Sequence, residues 1–259
     1  ICLLPVFGAL IYLFVELNLG GIGLKARTYV RLKETEGLLL ATERTKKAVA
    51  GSQADFRGFA RYMEGTVGFP AYQGSEAVYY PSGEDKFKDL LKELQKAERF
   101  IFLEYFIMER GIMWNAILDI LKEKVKQGVE VRVMYDGMCS IMLLPYGYPS
   151  ELEKYGIKAK MFAPIRPFLS TNQNNRDHRK IVVIDGKVAF TGGVNLADEY
   201  INEKEVYGHW KDTAVKITGE AVRSFTVMYL QMWHVSENGA ADEYEKYLQN
   251  IVFDKPLKD

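Results

Sequence analysis

Two cysteines in 259 residues, Cys2 and Cys139, leave no material for a disulfide framework or a cysteine-rich zinc site. Histidine is nearly as scarce: His178, His209 and His234 are the only three, and no cluster supplies the remaining ligands of a metal centre. There is no excess of either charge. The 34 Lys+Arg are matched by 34 Asp+Glu, which argues against a chain held to a polyanion by bulk positive field, so no nucleic-acid partner is expected. Internal repeats and low-complexity tracts are also missing. What is present, 48% apolar and 26% charged residues, excludes wholesale disorder and fibrous classes and allows one large domain or two small ones.

The first fifteen residues depart from this average. ICLLPVFGALIYLFV carries no charge before Glu16. As a helix it spans about 22 Å, short of the roughly 30 Å hydrocarbon core. The chain begins with Ile, which suggests a start further upstream, and a signal peptide's basic region and small-residue cleavage site are missing. Residues 1–19 are read as a transmembrane helix truncated at its start, since Pro5 and Gly8 are tolerated in such helices; a buried core helix is the alternative. Residues 20–76 are read as a basic juxtamembrane linker or helix. Between 25 and 47 there are seven basic residues against three acidic ones, which places this side in the cytoplasm by the positive-inside rule. Such a segment also suits anionic lipid, or a solvated linker.

From residue 77 to 259 the pattern is that of an α/β domain. Phe87, Leu90, Leu91, Leu94 and Ala97 recur at helical spacing, and FIFLEYFI (100–107) follows as a doubly buried strand. Trp114, Ile117, Leu118, Leu121 and Val125 mark a second helix closed by Gly128, and VEVRVMY (129–135) alternates as a strand that Asp136-Gly137 breaks. This order predicts at least one parallel pair. A short helix at 149–157 leads into strand 157–163. A hairpin over 181–193 turns at Asp185-Gly186, and strand 213–218 precedes an apolar helix over 220–233.

Chemistry concentrates in Arg176-Asp177-His178-Arg179-Lys180-IVVI-Asp185, followed by Gly192-Gly193-Val194-Asn195. In an extended chain His178 and Lys180 share one face and Arg179 takes the other. An imidazole beside an ammonium suits an anion with several oxygens, such as phosphate: the lysine neutralises charge, and the histidine attacks or moves a proton. The glycines permit close backbone approach, and the Asn195 amide can donate to a phosphate oxygen. Each piece alone is an everyday structural feature; at these spacings together they are not.

The pattern H-x-K-x4-D-x6-G-G-x-N, here His178, Lys180, Asp185, Gly192, Gly193 and Asn195, resembles the HKD motif of the phospholipase D superfamily. FIFLEYF (100–106), VEVRVMYDG (129–137), DHRKIVVIDGKVAFTGGVNLADEY (177–200) and HWKDTAVKITGEAV (209–222) are similar to the amino-terminal half of the bacterial cardiolipin synthases, as is an apolar N-terminus followed by a basic linker. Thr191-Gly192-Gly193 departs from the superfamily's commoner Gly-Ser pair, which puts the serine's phosphate contact in doubt.

The resemblance implies a phospholipase D-like mixed sheet flanked by helices, preceded by a membrane helix, in the inner membrane of a bacterium. It implies a phosphatidyltransferase that joins two phosphatidylglycerol molecules and releases glycerol through a phosphohistidine, without metal or organic cofactor. His178 is then the nucleophile. Lys180, Asn195 and Gly193 bind the phosphate, and Asp185 and Asp212 complete the catalytic set, Asp212 orienting the imidazole and Asp185 more a holder of the hairpin than a group acting on substrate. Glu104 requires a basic partner in its apolar strand. Asp136 fits a turn or the rim of the site, and Arg166 and Arg176 fit either lipid phosphate or solvent.

In this superfamily two such motifs build one site, and the chain holds one. His209-Trp-Lys211 has Lys216 where the aspartate belongs, and His234 lacks the lysine. The expected partner is therefore a second half in the same full-length chain or a second subunit, and the 259 residues alone are expected to be inactive or nearly so. A single-motif homodimeric phosphodiesterase or nuclease and a non-catalytic membrane partner are the alternatives. The identity of the acceptor, whether phosphatidylglycerol, phosphatidylethanolamine or water, is left open.

Overall fold

The apolar run at 100–105 lies where an unbroken hydrophobic strand belongs, in the interior of a sheet covered on both faces. A computed structural model describes residues 5–16, 19–164, 176–235 and 244–251. The helices α1 (Pro5–Glu16), α2 (Leu19–Glu34), α3 (Glu43–Ala50) and α4 (Ala54–Tyr62) come first, the last continued by a π turn at Met63–Val67. Then follow β1 (Ser75–Tyr80), α5 (Gly83–Gln95), β2 (Phe100–Tyr105), α6 (Ile112–Lys126) and β3 (Glu130–Asp136). After them come α7 (Cys139–Met142), α8 (Tyr148–Glu153), β4 (Lys158–Phe162) and the hairpin β5 (Ile181–Ile184) and β6 (Val188–Gly192). A 3-10 turn at Asp198–Ile201, β7 (Ala214–Gly219), α9 (Val222–Val235) and α10 (Tyr244–Leu248) complete the order.

The strands form one mixed sheet of seven in the order β1-β7-β6-β5-β2-β3-β4. β2, β3 and β4 run parallel, while β2 meets β5 antiparallel and the remaining pairs are antiparallel. The parallel pairs arise because α6 and then α7–α8 cross between successive strands. Strand alternation sends Ile101, Leu103 and Tyr105 into one core with α5 and α6, and Phe100 and Phe102 into the other beneath α9. Leu90, Leu94, Trp114, Ile117 and Leu121 are wholly excluded from solvent, and each such side chain contributes about 1.5–3 kcal/mol. The predicted helices and strands from residue 83 onward are found within a few residues of their expected ends. Gly128 takes the left-handed conformation (φ +88°) just after α6, as a helix-closing glycine does.

Of the membrane helix expected over residues 1–19, residues 1–4 and 17–18 lie outside the described residues. α1 has twelve residues, about 18 Å, and among the described residues no helix is long and apolar enough to cross a membrane. α2 (Leu19–Glu34) has sixteen residues and carries Lys25, Arg27, Arg31 and Lys33. The segment read as a linker also joins the globular unit. Leu24 and Leu38 pack against the α9 core, and Gln231 Nε2 donates to Thr35 Oγ1 at 2.7 Å.

Candidate active site

The carboxyl ends of β2 and β3, the entry to β5 and the exit of β6 lie along one edge of the sheet, and the motif is assembled there. His178 and Lys180 precede β5 and share a face, as their spacing requires. Lys180 Nζ is 3.2 Å from His178 Nδ1 and donates to the His178 carbonyl at 2.7 Å. The Phe106 ring, just beyond β2, lies 4.6 Å from the imidazole and 5.2 Å from the lysine nitrogen. Burial pushes the Lys180 ammonium below the usual lysine range, opposed by the carboxylates of Asp212 and Asp177.

Asp177 and Arg179 point to the opposite side and hold the motif in place. Arg179 pairs with the fully buried Glu104 at 2.5 Å and with Asp177 at 3.2 Å. Glu104 is pushed well above the carboxylate range, first by burial and then by Asp177, with Arg179 pulling it back. Asp136 accepts the backbone N–H of Asp177 at 2.8 Å and of Met138 at 2.8 Å, together with the Arg176 guanidinium at 3.1 Å. Arg176 also donates to the Ala163 carbonyl. Asp136 therefore ties the end of β3 to the segment before β5 that carries His178. Arg166 lies outside the described residues.

The Gly-Gly-x-Asn segment works through packing. A Cβ on Gly193 would collide with the Asp212 carboxylate, and one on Gly192 (φ +145°) with the Thr213 carbonyl, so both glycines let the start of β7 close against β6. The Gly193 N–H itself donates to the Thr213 carbonyl at 3.0 Å. Asp212 accepts the Thr213 N–H at 2.7 Å and lies within electrostatic reach of Lys180. Among the described residues the partner of His178 Nδ1 is Lys180 and not Asp212. Asn195 is buried. Its Oδ1 accepts the Ile107 N–H at 3.0 Å, and its Nδ2 donates one hydrogen to Tyr200 Oη at 2.7 Å, leaving a second hydrogen on the amide.

Asp185 is placed apart from this group. It lies at the far end of β5, in a turn where both it (φ +54°) and Gly186 (φ +70°) are left-handed. Its carboxylate accepts the N–H groups of Glu98, Arg99 and Phe100, each at 2.8 Å. Of the two roles considered for Asp185, this geometry fits the hairpin-holding one: three backbone donors entering β2 need an acceptor, and the turn presents one. His209 is exposed in the loop before β7, and His234 is buried in α9 against Tyr244. Neither joins His178.

A family model described as "Cardiolipin synthase, PLD-like domain" matches residues 90–233, more than half of the chain. The chain belongs to this family. An uncharacterized protein of Streptococcus mutans is 48% identical over 244 residues, covering 94% of this chain and 52% of that protein. A cardiolipin synthase of Alkalihalophilus pseudofirmus is 39% identical over 75% of this chain and 38% of its own length. One of Geobacillus kaustophilus is 42% identical over 64% and 33%. The chain thus spans about half or less of the curated relatives it matches. Among solved structures, a phosphatidylserine synthase of Haemophilus influenzae aligns at a TM-score of 0.49 with 17% identity, over 68% of this chain and 44% of that one. A phospholipase D family member, Nuc, of Salmonella typhimurium aligns at 0.47 with 16%, over 64% and 98%.

Within this cardiolipin synthase-type domain, sequence reasoning did not find the work of Asp177, Arg179 and Phe106. For Arg179 and Asp177 the signal was Glu104, a carboxylate inside a strand that is otherwise apolar, which demands a cation nearby. Phe106 gave no signal, because an aromatic at the end of an apolar strand reads as core.

Proposed function

We propose that this chain supplies the half-site carrying the nucleophile of a bacterial phosphatidyltransferase that makes cardiolipin from two phosphatidylglycerol molecules. The observation that carries this reading is the pairing of His178 and Lys180 within 3.2 Å on one edge of the sheet. His178 attacks the phosphorus of the donor lipid, a P–N bond forms, and the P–O bond to glycerol breaks. Glycerol leaves with a proton from the second half-site. The free hydroxyl of a second phosphatidylglycerol then attacks the same phosphorus and loses its proton to that group, and the P–N bond breaks to regenerate the imidazole. Lys180 neutralises the non-bridging oxygens throughout, and the remaining Asn195 amide hydrogen adds a neutral donor.

Attack through Nε2 requires the imidazole proton on Nδ1. Asp212, held beside Lys180 by the Gly192-Gly193 close approach, is the acceptor for that proton when Lys180 turns toward phosphate. The second motif comes from further sequence or from a second copy, in keeping with the chain's spanning half or less of its relatives. The enzyme works at the inner membrane with this domain in the cytoplasm. The test is to pair the chain with its complementary half, feed phosphatidylglycerol vesicles, and follow cardiolipin and glycerol by mass spectrometry. Equimolar cardiolipin and glycerol, lost in His178→Ala, support the reading; phosphatidic acid with glycerol in place of cardiolipin makes the enzyme a hydrolase.

A further inference from the structure

The zero net charge of the chain conceals a strong segregation. Residues 25–61 hold nine basic side chains against four acidic ones, a net of +5, and the rest of the chain carries the compensating −5. Part of this cationic region is α4, whose packing leaves an aromatic face bare. Phe56, Phe59 and Tyr62 are 51%, 61% and 60% exposed. At about 100° per residue they share an arc of roughly 120°, the width of an apolar helix stripe. Ala60, outside that arc, is the residue α4 buries. Nothing lies within 4 Å of where a Cβ would stand on Gly58, or on Gly65 in the π turn that follows. Three large aromatic rings left in water along one helix face mark a surface that meets something.

Beside this face, beyond Ala60, the seam between α3 and α4 opens into a cavity of about 150 Å³. Its rim carries Lys46, Arg57 and Arg61, with Glu64 as the one carboxylate, so the opening is net cationic. Arg57 is fixed there by donating to the carbonyls of Ala50 and Ser52, both at 3.0 Å. Lys46 reaches Glu43 at 2.9 Å. Arg61 extends into solvent.

We infer that α4 and the α3–α4 cleft form a docking surface for an anionic phospholipid bilayer, in which Phe56, Phe59 and Tyr62 enter the headgroup–acyl boundary while Arg61 and its neighbours receive lipid phosphate. Charge complementarity selects this occupant. An exposed aromatic face flanked by cations fits a bilayer of acidic lipid, whereas a second copy of the same net-positive region would repel it. The choice of lipid rests on the proposed reaction, whose substrate is such a lipid. The surface itself is separate from the His178 edge.

The experiment is vesicle sedimentation of the 259-residue chain, using phosphatidylglycerol–phosphatidylcholine vesicles against phosphatidylcholine alone, with chain-brominated lipid to quench a tryptophan placed by Phe59→Trp. Binding to the anionic vesicles that weakens with salt is expected, with fluorescence of the introduced tryptophan quenched above the wild-type background. Phe56→Ser with Phe59→Ser should lower the partition coefficient by about tenfold or more, and Arg61→Gln by about fivefold on the anionic vesicles. These side chains are exposed, so the melting temperature serves as the folding control and should not move. An unquenched tryptophan on vesicle-bound protein overturns the proposal, whatever the first helix contributes to binding. So does a dimer in sedimentation velocity that the double serine variant dissociates. A chain that inserts α4 but transfers no lipid when paired with its other half retires the proposed reaction and leaves this surface standing. Transfer on detergent-dispersed lipid without insertion does the reverse.

Discussion

Lys180 Nζ stands 3.2 Å from Nδ1 of His178 and donates to the same residue's carbonyl at 2.7 Å, so the two chemical groups of the motif position one another. Each is then needed for a different reason. Removing the imidazole removes the nucleophile, and His178→Ala in the paired enzyme should leave no measurable transfer. Removing the cation leaves the nucleophile but takes away a charge aimed at the oxygens, a loss of about 10²–10³ in kcat. Lys180→Met should show that loss with an unchanged circular dichroism spectrum. A Lys180→Met enzyme within a factor of three of wild type would mean that another cation neutralises the phosphate.

The same lysine predicts a pH dependence. Burial lowers its pKa below the usual lysine range, and Asp212 and Asp177 oppose that shift. The ammonium must be charged to act, so activity should fall on the alkaline side at a pH below that of an exposed lysine. Asp212→Asn removes one of the opposing carboxylates. The pKa then drops further, and the alkaline limb of kcat should move toward lower pH. A limb that stays in place separates Asp212 from Lys180 and leaves the titration to another group.

Gly193 offers a test of geometry rather than charge. Its missing Cβ is the space in which the Asp212 carboxylate sits. Gly193→Ala should displace Asp212 and lower kcat by at least tenfold, since a misplacement of about 1 Å can cost on the order of 10²-fold. The effect should be small in Gly193→Ala/Asp212→Gly, where the collision is relieved, when that double variant is compared with Asp212→Gly alone. Steady-state kinetics on the three proteins decides it.

Most elements from residue 83 to 235 were legible because each carries its own period and stop: Gly128 closes α6, and Asp185-Gly186 turns the hairpin. His178 and Lys180 were legible because i, i+2 spacing fixes a shared face whatever the rest of the fold does. Asp185 was open to two roles because an aspartate in a motif and one in a turn look alike in sequence; only the arrival of β2 shows three backbone N–H groups converging on it. The partner of Glu104 was hidden for a similar reason, since β2 and the approach to β5 meet across about eighty residues of chain.

Asp185 therefore belongs to stability. With three N–H donors at 2.8 Å, Asp185→Ala strands backbone groups at the entry to the central strand and should destabilise the domain by about 2–4 kcal/mol. Urea titration reads this directly. A group acting on substrate would give the opposite order, with kcat lost and the midpoint unchanged.

Lys86 carries the last prediction. It is buried in α5, where its ammonium meets Tyr105 Oη at 3.0 Å and lies 5.2 Å from that ring, and burial lowers its pKa to about 7. In the unfolded chain the same group titrates near the ordinary lysine value, about 10.4. Between these two values the unfolded state holds a proton that the folded state does not, so stability should rise with pH through that window, by at most about 1.4 kcal/mol per unit. Below about pH 7 both states are protonated and this contribution is flat, with the cost of the buried charge fully present. Lys86→Met keeps the aliphatic stem and removes the titration. The variant should be more stable than the parent at pH 7, and its stability should lose the rise between pH 7 and 10, as urea midpoints across that range would show. If parent and variant run parallel over that range, Lys86 reaches water or an anion in solution and its burial does not set its charge.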